Sequence, residues 1–132
     1  MNTDLIRHRL QRAREALESA RLLFSNNQLS AAVNRLYYAL FYAVLALLET
    51  KELSSSKHAG VRALLNKHFI KAGIVPKEFG RFYESLFSNR QEGDYVDYTV
   101  FSTQRVEELL VHSSQNLSEI EKIIMDLITE HG

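Results

Sequence analysis

The chain has 132 residues, 16 basic and 16 acidic side chains and no cysteine. That length suits one domain, here residues 1–132, able to bury roughly 65 to 70% of its unfolded surface, and the missing cysteines exclude disulfide staples and thiolate metal sites. The formal charge is zero but unevenly placed: residues 51–90 carry 8 basic and 3 acidic side chains, residues 91–132 carry 2 and 9. A basic middle of this kind either forms solvated helix faces or guides a phosphate backbone. Met1–Arg14 is rich in arginine and holds no apolar run of the kind a secretory leader needs, so a cytoplasmic location is expected.

One proline and five glycines interrupt the chain. The apolar residues recur at spacings of three and four almost throughout, a helical rather than a strand pattern. The first predicted helix covers about 3–26, with Leu5, Ile6, Ala13, Ala16, Leu17, Ala20, Leu23 and Phe24 on one side. Asn26 and Asn27 supply a stop and a fresh N-cap.

The second helix, about 28–50, holds an unbroken run of apolar and tyrosine residues from Leu36 to Leu48. The run is shorter than the roughly 20 residues of a membrane span, and a helix apolar all round belongs at the centre of a bundle. Asn34 and Arg35 enter just before it, which brings polar groups toward the interior. Tyr37, Tyr38 and Tyr42 form an aromatic patch suited to core or dimer packing.

Ser54, Ser55 and Ser56 offer caps for a third helix whose inner stripe reads His58, Val61, Leu64, Leu65, His68, Phe69 and Ala72. On that stripe His58 and His68 read as core histidines held by hydrogen bonds. Gly73 suits a left-handed helix end and Pro76 the first turn of a fourth helix, about 76–92, with Phe79, Phe82, Tyr83, Leu86 and Phe87 inward and Gly93 as its stop. Ser102 caps a long last helix. The architecture expected is all-α, an antiparallel four-helix up-and-down bundle with one additional short helix.

Ferritin-like Glu-x-x-His pairs, His-Glu-x-x-His and clustered phosphate-binding glycines are all absent from the sequence. No cofactor or metal is therefore expected. The segment with chemical content is Asn89 to Tyr98. There the inner stripe of the fourth helix continues into Arg90, followed by Gly93, Asp94, Tyr95 and Tyr98. An inward arginine requires a carboxylate, a phosphate or a solvent-filled cleft. Asp94 is the local carboxylate, and a guanidinium fork also suits a phosphodiester.

The stretches Asn34–Phe41, Lys57–Val61, Phe69–Gly73 and Arg90–Tyr95, in this order and spacing, resemble the short prokaryotic proteins of the HEPN superfamily over about residues 5–125. The resemblance implies a helical bundle that forms a homodimer, often paired with a minimal nucleotidyltransferase as antitoxin, and in many members a metal-independent ribonuclease. The family motif is an arginine followed after four to six residues by a histidine, the two copies facing each other across a dimer cleft. Arg90 matches the first position, but Tyr95, Val96 and Asp97 fill the positions open to the histidine.

Histidine moves protons near neutral pH and tyrosine does not. Two repairs are open: His58 reaches the cleft from the third helix, or Tyr95 with Arg90 stabilises the phosphorane. The resemblance thus implies a catalytic set of Arg90, Asp94, Tyr95 and His58, with Asn34, Arg35 and Tyr98 contacting substrate. The alternative is a module that binds RNA, nucleotide or a partner without cutting.

Overall fold

The computed structural model describes residues 1–95 and 101–131, with the side chains of 91–95 and 131 excepted. Helix α1 (Thr3–Ser25) starts on Asn2, whose side chain accepts from the Leu5 amide at 3.0 Å, closing one of the free N–H groups of the first turn. Its buried face is Ile6, Leu10, Ala13, Ala16, Leu17 and Ala20, steps of three and four that lay one apolar stripe against the next helix.

The connection turns through Asn27 in the left-handed conformation (φ 59°), which asparagine tolerates better than most residues. The expected stop is there, but the fresh cap is not. Gln28 precedes α2 (Leu29–Glu49) and makes no side-chain cap.

Helix α2 is the centre of the molecule, packed against α1 most extensively and also against α3, α4 and α5. By length and composition it would pass as a membrane-crossing helix, but 61% of its apolar window is buried inside the bundle. Its buried residues include Leu36, Tyr37, Leu40, Val44, Leu47 and Leu48, which lie on several sides because neighbours surround the helix.

Helix α3 (His58–Leu65) is shorter than expected. A π-helical turn, Asn66–Ile70, follows it, and Gly73 at φ +75° reverses the chain as its position predicts. The serine triplet does not cap α3. Lys57 occupies the cap position, and Ser55 Oγ instead accepts from the Lys57 amide at 3.3 Å in the preceding turn.

Helix α4 (Lys77–Tyr95) begins just after Pro76 and runs through Gly93, where the sequence pattern places a stop. A glycine inside a helix costs only about 1 kcal/mol relative to alanine, so it ends a helix only where the rest of the chain also turns away. Helix α5 (Thr103–His131) starts on Ser102, whose hydroxyl accepts from the Arg105 amide at 3.1 Å, as expected. The described residues thus form five helices, and no strand occurs among them.

Candidate functional site

The side chains that the sequence singles out on α2, α3 and α4 meet where those helices pack. Tyr37 is fully buried on α2 and stacks on Tyr83 of α4, the ring centres 5.7 Å apart and nearly parallel. Its hydroxyl reaches His58 Nδ1 at 2.6 Å and Tyr83 Oη at 3.4 Å. His58 lies flat against Phe41 at 4.5 Å, so the first residue of α3 is clamped between an aromatic wall and a buried hydroxyl.

Arg90 approaches the same place from α4. Its guanidinium carbon lies 5.3 Å from the Tyr37 ring centre and 5.4 Å from that of Tyr38, and its Nη2 donates to Tyr38 Oη at 3.4 Å. Arg35 covers Tyr38 at 5.0 Å, with its buried Nε making no hydrogen bond. Arg62, one turn after His58, lies 4.2 Å from the Phe87 ring centre and donates to Glu84 at 2.8 Å. Aromatic faces suit guanidinium groups because the ring quadrupole attracts the cation while the edge N–H groups stay available.

The hydroxyl chain selects one tautomer of His58. If Tyr83 donates to Tyr37 and Tyr37 donates to Nδ1, every proton of the chain has an acceptor. If His58 donated to Tyr37 instead, the buried Tyr83 proton would have none, a cost of about 1–3 kcal/mol. Neutral His58 therefore carries its proton on Nε2 and offers a hydrogen-bond donor there.

Burial, then the charges of Arg90 and Arg62, holds the His58 pKa below its ordinary value. Burial pushes the Tyr37 hydroxyl up, against the Tyr83 hydrogen bond and the Arg90 charge that pull it down, and pushes Tyr83 up as well. Both phenols stay protonated at neutral pH and His58 stays uncharged.

This makes a stability prediction. An unfolded chain takes up a proton on histidine at a pKa of about 6.5, above the folded value, so the contribution of His58 is complete above that pH and declines as the pH falls toward the folded pKa. The melting temperature of the native chain should drop more steeply between about pH 7 and pH 5 than that of His58→Asn, measured by circular dichroism. Parallel curves would mean that His58 titrates normally.

Of the sequence-derived site residues, the structure brings together Arg90, His58 and Arg35, with Asn34 half-buried on α2, one turn before Tyr37 and Tyr38. Asp94 and Tyr95 are described only as the last turn of α4, and Tyr98 lies outside the described residues, as do Val96 and Asp97. His68 takes no part in the cluster: its backbone carbonyl accepts from Lys51 Nζ at 2.8 Å. The tyrosine patch packs as expected, Tyr37 in the core and Tyr38 and Tyr42 against it. The Tyr37 hydroxyl and the rim position of Tyr38 also make them polar members of the site. Arg62 was not anticipated, although its place four residues after His58 puts both on one face of α3.

A family model described as the HEPN domain matches residues 6–124. The chain belongs to the HEPN family. Among curated relatives, a "UPF0332 protein" of Thermotoga maritima is 47% identical over 123 residues, 93% of each chain. "Putative toxin MJ0142" of Methanocaldococcus jannaschii is 35% identical over 103 residues, 78% of this chain and 69% of that one. "Putative toxin MJ0605" of the same organism is 29% identical over 131 residues, 97% of each.

Within this HEPN chain, Arg90 of α4 and the imidazole of His58, the first residue of α3, approach the same tyrosine pair from separate helices. Among the described residues no three histidines, aspartates or glutamates converge into a potential metal-ligand set.

Proposed function

We propose that this protein is a toxin-like HEPN protein that acts on RNA in a cleft around Arg90, formed between two copies of the chain. The observation that carries this reading is the convergence of Arg90 and His58 on the Tyr37–Tyr38 pair, one guanidinium and one N–H donor from separate helices. Arg90 would hold a phosphodiester through its fork, and His58 Nε2–H would donate to a non-bridging oxygen as charge builds on phosphorus. Arg35, stacked on Tyr38 beside Arg90, adds a second guanidinium near the pair. The two relatives named as toxins support the toxin-like part, and a minimal nucleotidyltransferase antitoxin is the partner such a protein would have.

Cleavage without a metal also requires a base for the attacking 2′-hydroxyl. His58 is not placed for that role, because its lone pair at Nδ1 is engaged by Tyr37. This favours a second reading in which the same cleft binds RNA or nucleotide and cuts slowly or not at all.

Incubating the purified protein with labelled single-stranded RNA, while following both binding and product formation, separates the readings. Binding with cleavage supports the ribonuclease, and binding without cleavage supports the module. An absence of binding at about micromolar protein, weaker than ordinary non-specific association at low salt, would refute both. Solution mass tests the dimer, which should be twice the 15.2 kDa of the chain.

A further inference from the structure

Outside the Arg90 cluster, the described residues carry a groove of about 620 Å³ between the π-helical turn and the first half of α4, its walls including Ile70, Lys71, Lys77, Gly80, Arg81 and Glu84. The groove has a local cause. A Cβ at position 80 would meet the tip of Ile70, so Gly80 gives that side chain room against α4 at the floor of the groove. Lys77, Gly80, Arg81 and Glu84 follow each other at spacings of three, one and three and share one stripe of α4.

The charge there is one-sided. Among the described residues, the side chains of Lys71, Lys77 and Arg81 meet no ion-pair or hydrogen-bond partner, and all three are exposed. The one carboxylate in the walls, Glu84, is taken by Arg62 at 2.8 Å. Three unspent cations over an apolar wall suit a polyanion that also presents apolar surface, and a nucleic-acid strand meets both demands.

We infer that this groove carries the backbone of a single-stranded RNA of which a phosphate further along the strand is held at Arg90. The inference rests on the RNA reading of the cleft and extends it to the flank of the bound strand. Two observations make one polymer the fitting occupant of both places. Glu84 of the groove wall pairs with Arg62, which stands one turn after His58 on α3 and bears on it electrostatically. Lys77 and Arg90 stand on the same helix, about 20 Å apart along its axis at 1.5 Å per residue and about 140° apart around it, so a strand that reaches both passes over the side of α4 where Glu84 meets Arg62. An acidic polypeptide would match the cations, but it has no reason to place an anion at Arg90 as well.

The test uses the full-length chain and the double variant Lys77→Ser, Arg81→Ser, both substitutions at exposed positions and checked for an unchanged melting temperature. Fluorescence anisotropy follows a labelled single-stranded RNA of about twelve nucleotides, and an RNA dinucleotide, across a salt series. The double variant should bind the longer strand about tenfold more weakly, with the slope of log K against log salt reduced by about 1.4, or about 0.7 for each lost phosphate contact. Dinucleotide binding should not change.

An unchanged affinity and slope for the longer strand would overturn the groove assignment, even where Arg90→Ala abolishes dinucleotide binding and so upholds the cleft. A weakened longer strand with a dinucleotide indifferent to Arg90→Ala would uphold the groove as an RNA surface and sink the cleft. Retention of RNA binding together with loss of an acidic protein partner would identify a polypeptide as the occupant and overturn the assignment.

Discussion

Arg90→Ala should lower RNA cleavage by about a hundredfold or more, the usual effect of removing one preorganised donor from a developing oxyanion. If the protein only binds, the same substitution should weaken the complex by about 1.5–3 kcal/mol, the range for a hydrogen bond to a charged group. Arg90→Lys should restore little. An ammonium keeps the charge but loses the planar fork, and it also loses the stacking fit over Tyr37 and Tyr38 that fixes the guanidinium direction.

The readout must include a melting curve, because Arg90 packs on two aromatic rings and its removal has a structural component. Side-by-side rates or affinities for the native chain, Arg90→Ala and Arg90→Lys check this. A variant with full activity and a lowered melting temperature would show that Arg90 serves only the packing of α4 on α2.

Tyr37 carries the largest expected effect on stability. It is wholly buried, stacks on Tyr83, lies 5.8 Å from the Phe41 ring and 5.6 Å from the Phe87 ring, and joins two hydroxyl contacts. Tyr37→Ala should cost about 3–5 kcal/mol, the range for removing a large aromatic from a core. Tyr37→Phe keeps the packing but strands the Tyr83 hydroxyl and frees His58 Nδ1, which should cost about 1–3 kcal/mol.

The two variants separate volume from hydrogen bonding in a urea titration. Tyr37→Phe has a second signature: the ¹⁵N shifts of the His58 ring should move from a single Nε2–H tautomer toward a mixture. An unchanged ring spectrum would show that the hydroxyl chain does not choose the tautomer.

Much of this was legible in the residues. The helical spacing of apolar side chains, the all-round apolar character of Leu36–Leu48, Gly73 and Pro76 before α4, and Ser102 before α5 each depend on interactions within a few residues of one another. Arg90 was legible for the same reason, since a cation on a core stripe contradicts the pattern around it. Family membership also followed from short stretches in a fixed order, and the HEPN match over residues 6–124 bears it out.

What failed were local signals that the packing overrode. Gly93 did not end α4, and the serine triplet closed a turn one step before the helix it was expected to cap.

By itself the sequence determined that the chain is helical, that α2 is central and that an arginine continues the apolar stripe of α4. Only the tertiary structure decided which partners that arginine has. Tyr37, His58, Arg62 and Arg90 lie up to 53 positions apart in the chain, and nothing in their spacing announces that they meet. Their meeting depends on how α3 and α4 lie against α2, which many side chains set together. The tautomer of His58 depends on a hydroxyl 46 residues from its own donor. Contacts of that range follow from the geometry of the packed helices rather than from any periodic pattern along the chain.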